Sequence, residues 1–329
     1  MRLGVVLGIS VLSACRPSGP PHPLDVRIPS LLARDRIPSA VVVFGEGDTV
    51  LYRKVFGAAR PDTVFDLASL TKVVGTATAA LRLVEEGKMG LEDPVGRHLE
   101  AFEGRSMTIR DLLSHRTDLP PYARPRGTSR EALLHEFAAL RTDRRDRYGC
   151  LNMIVLGWAA ERASGLPLGE FLRKEFWEPL GMKDTGYDPD PSRCAPTSRD
   201  PPGRVHDPLA RHCRAAGFDP GNAGLFSTGD DLAIYCRALL AGRILKPQTL
   251  ERAFAPIEDG AKDRRGLGWD LFEDPPYAPG VGHTGYTGTL LWIRPEKKRF
   301  LVLLTNRVYP DDTSSVGDLR REVLSVVNR

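Results

Sequence analysis

The sequence is short of most features that would assign it to a specialised class. Its net charge is only +4 over 329 residues, and its basic residues, mostly arginine, are scattered among acids. That removes the electrostatic basis for a nucleic-acid partner. The densest basic patch, "RTDRRDR" at 141–147, is interleaved with aspartate and reads as a solvated loop. No self-similar period runs along the chain, which excludes a repeat architecture. There are five cysteines, and none has a histidine or second cysteine at zinc-ligand spacing, so no metal site is expected. What remains is ordinary. Hydrophobic content of 41% and charged content of 27% describe a compact globular body, long enough for one large core.

The N-terminus carries the first positive signal. "MRLGVVLGISVLSAC" has one positive charge, a short apolar run and small residues before Cys15, as in a signal peptide, and the run is too short to cross a bilayer. "LSAC" resembles the bacterial lipobox, which implies cleavage after residue 14 and a lipid on the Cys15 thiol. The protein would then sit in the bacterial cell envelope, facing the periplasm or exterior. The alternative is an ordinary secretory signal with a chance cysteine. Residues 15–25, rich in Pro and Gly, read as a tether, and folding is expected to begin near Val26. Cys150, Cys194, Cys213 and Cys236 remain in the body. Export permits disulfides, three pairings are open, and Cys194 with Cys213 is weakly favoured because both flank one Pro- and Gly-rich loop.

Residues 40–57 are two β-rich runs around a Gly/Asp turn, a hairpin, and "TGTLLWIRPEKKRFLVLLTNRV" repeats that pattern with "RPEKK" as its turn. Helical spacing predicts helices over 69–86, 108–114, 130–140, 151–163, 168–175 and 229–241, with a terminal helix in "DLRREVLSVVNR". The stretch 184–223 reads as a long loop. Strands at both ends and helices between them predict an α+β fold: an antiparallel sheet built from both termini, flanked by helices, with a mostly helical region inserted.

One helix is odd. "FDLASLTKVVGTATAAL" is small and apolar on nearly every side, yet Ser69 and Lys72 stand at its start. A buried lysine needs a polar partner or a functional reason. Three residues apart on a helix, the two side chains face the same way, and the helix N-terminus favours negative charge at the serine. That arrangement suits acyl transfer, because a serine hydroxyl needs a neighbouring base and donors for the oxyanion. Spacing alone is weak, since 16 Ser and 9 Lys give roughly 0.4 chance matches. Two other stretches add to it. "YGCLNMIVLG" places Tyr148 just before a helix, where its phenol could exchange a proton with Ser69 beside Lys72. "GHTGYTGTLLW" places His283, Thr284 and Gly285 at the start of an apolar strand, where glycines let a substrate approach the backbone. Read singly, Tyr148 is better explained by covering the core edge and the second stretch by a tight turn.

Together the three resemble the serine β-lactamase and penicillin-binding protein superfamily, with its S-x-x-K, Tyr- or Ser-led triplet and K-T-G. The likeness is greatest to class C β-lactamases and family VIII esterases. It extends to "IRDLLSHRTDLPPY", "LNMIVLGWAAERASGLPLGEFL", "PLGMKDTGY", "GNAGLFSTGDDLA" and "GLGWD", and covers about residues 30–328. The resemblance implies a β-lactamase/transpeptidase-like fold and a serine hydrolase that needs no cofactor. Ser69 would be the acylated nucleophile, Lys72 and Tyr148 would share base and acid work, and the N–H groups of Ser69 and Tyr286 would form the oxyanion hole. His283, Thr284, Gly285 and Cys150 would face the substrate, an ester, a D-amino-acid peptide or a β-lactam. Three departures stand out. Cys150 replaces the Asn or Asp that usually ends the triplet, His283 replaces the lysine of K-T-G, and Asp118 stands where the family usually has glycine. The competing reading is a lipid-anchored penicillin- or peptidoglycan-binding protein of weak catalytic power. Substrate and oligomeric state stay open.

Overall fold

A computed structural model describes residues 20–143, 147–257 and 265–328, so the expected leader, Cys15 and part of the basic patch lie outside the described residues. Eight strands are described: β1 (Ser39–Glu46), β2 (Thr49–Gly57), β3 (Phe65–Asp66), β4 (Phe226–Ser227), β5 (Asp270–Phe272), β6 (Gly280–Thr284), β7 (Leu290–Arg294) and β8 (Arg299–Thr305). Six of them form one antiparallel sheet in the order β2-β1-β8-β7-β6-β5, so the two terminal hairpins meet along β1 and β8, as the sequence predicts. β3 and β4 pair separately.

The described helices are α1 (Pro23–Arg34), α2 (Thr78–Glu85), α3 (Ile109–Ser114), α4 (Arg130–Ala139), α5 (Cys150–Ser164), α6 (Leu168–Leu172), α7 (Glu178–Leu180), α8 (Pro208–Ala215), α9 (Gly229–Leu240), α10 (Pro247–Ala253) and α11 (Gly317–Val327). Strand alternation sorts the core into two layers. Ala40, Val42, Leu290, Trp292, Leu301 and Leu303 face α1 and α11, while Val41, Val43, Leu291, Ile293, Val302 and Leu304 face α9 and the helical region. Both faces are covered, which is why these strands read as unbroken hydrophobic runs. β2 is the exposed edge, and its Arg53 and Lys54 pair with Asp230 and Asp25.

Differences from expectation have local causes. α1 begins at Pro23, inside the expected tether and ahead of Val26. His22 Nδ1 accepts from the Leu24 amide at 3.3 Å, and proline at the first helical position needs no donor there. The expected loop 184–223 contains α8, started by the Asp207 side chain and Pro208. That helix also settles the favoured cysteine pair, because Cys194 and Cys213 are both unbridged, as are Cys150 and Cys236. α8 turns Cys213 into the main core, whereas Cys194 packs in a small cluster with Val64 and Phe226. Within the expected helix 69–86, residues Lys72–Ala77 form wider π turns before α2.

Gly221 shows how tightly the inserted region holds. A Cβ there would lie 2.0 Å from the Met153 carbonyl oxygen of α5 and 2.9 Å from Thr76 Oγ1. Gly221→Ala is therefore expected to destabilise the fold by about 1–3 kcal/mol, the range for overpacking. Urea unfolding of parent and variant measures it, and equal midpoints would mean the two segments can separate at no cost.

Candidate active site

The site begins at the end of β3. The buried Asp66 carboxylate turns back on its own chain, Oδ1 accepting from the Ala68 amide at 2.8 Å and Oδ2 from the His206 amide at 2.7 Å. Ala68 has φ 46°, a left-handed conformation that a residue with a Cβ rarely adopts. The resulting corner presents Ser69, half-buried, at the head of the helical turns that start at Leu70. Burial raises the Asp66 carboxyl to about 6, against the two amides that favour its ionised form.

Lys72 lies one turn on and has no exposed surface. Its Nζ donates to Ser69 Oγ at 2.9 Å and to the Asn222 carbonyl at 2.7 Å. Burial disfavours the ammonium, but interactions with Cys150 and Tyr148 outweigh it and hold Lys72 above the ordinary lysine value. The Tyr148 ring centre is 5.0 Å from Lys72 Nζ and 5.0 Å from the Arg265 guanidinium carbon. Two imidazoles complete its surroundings, His115 at 5.0 Å and His283 at 5.5 Å between ring centres.

His115 was not singled out from sequence. It ends α3 with φ 59°, and its Nδ1 accepts from the Gly149 amide at 3.3 Å and lies 3.2 Å from Asn152 Nδ2. Burial, with the charges of Arg265 and Lys72, holds it well below the ordinary histidine range, so it is neutral and its Nδ1 lone pair can accept. It thereby positions the residue after Tyr148. His115, not Asp118, supplies the left-handed corner of this loop, so aspartate is tolerated at 118, where it pairs with Arg105. Asn152 spends its amide on His115 and Thr117.

His283 and Thr284 end β6, a correction to the expectation that they begin a strand. Gly285 opens the turn to β7, closed by its amide donating to the Thr289 carbonyl at 2.8 Å. A Cβ on Gly285 would lie 1.9 Å from Thr289 Oγ1 and 2.7 Å from the Leu67 carbonyl oxygen. Glycine is required because this turn is stitched to the loop that bears Ser69. Thr287 Oγ1 donates to the Asp66 carbonyl at 2.8 Å and Thr289 Oγ1 to the Leu67 carbonyl at 3.1 Å. The backbone N–H groups of Ser69 and Tyr286 meet no acceptor among the described residues. His283 is buried, and its Nδ1–H donates to the Thr284 carbonyl at 2.7 Å. Burial lowers its pKa from the ordinary value, against Asp270, whose carboxylate is 3.9 Å from Nε2.

A cleft of about 410 Å³ opens here, lined by Ser69, Tyr148, His283, Thr284, Gly285 and Tyr286, and also by Arg265, Asp270, Arg307 and Arg320. Lys72 lies buried beneath it. Cys150 is not part of the lining; it starts α5 partly buried, its amide donating to the Pro121 carbonyl at 2.7 Å. A larger cleft, about 1100 Å³, lies in the helical region along Arg130, Trp158 and Glu161 and contains none of these groups. Among the described residues no helix is long and apolar enough to cross a membrane, and no cluster of ligands could hold a metal ion.

A serine bonded to a buried lysine, beside a tyrosine and two free N–H groups on an antiparallel sheet, is the arrangement of a β-lactamase-superfamily hydrolase. The chain matches the Beta-lactamase family over residues 24–325 and belongs to it. An Escherichia coli K12 protein, named provisionally as a D-alanyl-D-alanine carboxypeptidase, is 25% identical over 344 residues, covering 82% of this chain and 78% of that one. A Salmonella typhimurium protein of the same name is 26% identical over 321 residues, with 80% and 73% covered. Among solved structures, EstCE1, a hydrolase with promiscuous acyltransferase activity, superposes with TM-score 0.75 at 22% identity over 92% of this chain and 97% of its own. The octameric penicillin-binding protein homologue from Pyrococcus abyssi gives 0.71 at 23%, over 92% and 76%. These two likenesses concern the fold.

The buried carboxyl under the Ser69 loop predicts a pH effect. A folded pKa near 6, above the ordinary 3.8, means the fold keeps a proton that the unfolded chain has lost between those values. Asp66 therefore adds stability as pH falls from about 6 towards 4, on the order of 3 kcal/mol at most. Thermal unfolding of the parent relative to Asp66→Asn from pH 7 to pH 4.5 checks it. The parent should gain on the variant as pH falls, and a gain in the other direction would refute the assignment.

Proposed function

We propose that the protein is an exported serine hydrolase that works through an acyl-enzyme on ester or amide substrates. The hydrogen bond from the buried Lys72 Nζ to Ser69 Oγ, 2.9 Å long, carries the reading. Ser69 Oγ attacks the substrate carbonyl, and its proton passes to the Lys72–Tyr148 pair. The tetrahedral oxyanion is received by the N–H groups of Ser69 and Tyr286. Tyr148 returns the proton to the leaving group, and water then releases the acyl chain by the same steps in reverse. Because Lys72 donates to both Ser69 Oγ and the Asn222 carbonyl, it acts chiefly as a fixed cation, and Tyr148 carries the proton.

Esters of good leaving groups are the substrates we favour. A neutral, buried His283 gives less hold on a substrate carboxylate than the family's lysine, and Arg265 and Arg307 in the cleft are paired with Asp270 and Asp312. A D-alanyl peptidase is the second reading. The names of the relatives favour it, as does Arg320, which lines the cleft with no carboxylate partner among the described residues. Export and a lipid on Cys15 belong to the same proposal, supported by the leader sequence. Cys15→Ser is expected to move the protein from the membrane fraction to a soluble one, and a mature N-terminus elsewhere would refute the anchor.

The main experiment compares kcat/KM for p-nitrophenyl butyrate and nitrocefin, with Ser69→Ala as blank. The ester value should exceed the nitrocefin value, and Ser69→Ala should retain less than about 1% of the parent rate, since losing a covalent nucleophile costs several powers of ten. A higher nitrocefin value would restore a β-lactamase reading. Absence of turnover, with a stable penicillin adduct on Ser69, would instead indicate a binding protein.

A further inference from the structure

The turn that carries the Tyr286 amide is held by an arginine at the edge of the cleft. Arg320, in the first turn of α11, places Nη2 2.9 Å from the Gly285 carbonyl oxygen and 2.7 Å from the Thr289 carbonyl oxygen, donating to both. Gly285 C=O and Tyr286 N–H are the two ends of one peptide group. A cation bonded at the oxygen withdraws electron density and makes the N–H at the other end a stronger donor. We propose that Arg320 is a positioning residue that charges the oxyanion hole, polarising the Gly285–Tyr286 peptide so that the Tyr286 N–H binds the developing oxyanion more strongly.

Three further observations point the same way. Arg320 has no carboxylate partner among the described residues, and its buried Nε is unpartnered, so no anion offsets the charge it brings to the two carbonyls. Burial pulls its pKa down to about 10, which still leaves it charged at neutral pH. Burying a guanidinium to hold two neutral acceptors is costly. Neighbouring Arg307 differs. Its Nε donates to the Tyr286 carbonyl at 2.8 Å, but its charge is spent on Asp312. Two arginines thus grip the carbonyls on either side of the Tyr286 amide, and only Arg320 does so with an uncancelled charge.

The inference rests on the oxyanion role of Tyr286 proposed above. The test uses the full-length protein and the variants Arg320→Lys, Arg320→Gln and Arg320→Met, with kcat and KM on neutral p-nitrophenyl butyrate and inhibition by phenylboronic acid. The Tyr286 amide resonance is followed in ¹⁵N-tyrosine-labelled protein. Arg320→Gln and Arg320→Met should lower kcat about tenfold, less than the 10²–10³ expected for deleting a donor outright. KM should be unchanged, boronate affinity should fall by the same factor, and the Tyr286 amide proton should move upfield. Arg320→Lys should recover most of the rate. An Arg320→Gln enzyme equal to the parent would mean that geometry, not charge, matters, and would overturn the proposal. So would a loss confined to KM for carboxylate-bearing nitrocefin, which would make Arg320 a substrate anchor. If Arg320→Met fails to fold, Gln against Lys decides. Should Ser69→Ala prove as active as the parent, the nucleophile assignment falls, and an unmoved Tyr286 amide in Arg320→Gln still refutes the polarisation by itself.

Discussion

A lysine ammonium with no exposed surface is the constraint around which this protein is arranged. Lys72 cannot stay charged in the interior without partners, and Ser69 Oγ and the Asn222 carbonyl accept from it while Tyr148 and Cys150 favour its charged form. The second acceptor comes from a segment far along the chain, brought in because Gly221 passes against the α5 backbone and its carbonyl accepts from Thr76 Oγ1 at 2.7 Å. Satisfying one side chain therefore fixes the distance between the helix that bears the serine, the segment after α8 and the start of α5, where Tyr148 sits. The chemistry and the packing use the same contacts.

The second seam is made of neutral bonds. Thr287 and Thr289 reach across from the β6–β7 turn to the carbonyls of Asp66 and Leu67, so the loops bearing the two free N–H groups move as one piece. The strain of Ala68 is held in place by Asp66 and by this stitch together. The oxyanion hole proposed for these two amides would need that shared frame, since a displacement of either weakens its hydrogen bond steeply.

Much of this was legible in the sequence, and the rest was hidden for physical reasons. The hairpins, the meeting of both termini in one sheet and the position of the Ser69–Lys72 pair follow from period-2 runs and from a lysine in an apolar helix. α1, α8 and α10 were overlooked because each starts on a proline, and a proline in a polar stretch reads as a loop or tether. Cys194 and Cys213 lie close in sequence, but the undetected α8 sends them to different clusters. His115 looked like an unremarkable histidine, and only its left-handed backbone brings its ring against Tyr148. Arg320 is 35 residues from the glycine it serves, and no local pattern encodes such a contact.

The pairing of the first and last helices bears on orientation. α1 and α11 run antiparallel on the outer face of the sheet, with Arg34 beside Asp318 and Arg27 beside Glu322. Since Arg320 lies near the start of α11 and borders the cleft, it is the Arg34 end of α1 that approaches the cleft's rim. Pro23 is left a full helix away, about 18 Å at 1.5 Å per residue. The first turn of α1 thus stands at the pole of the sheet remote from the cleft, and the chain enters the fold on the side away from its opening.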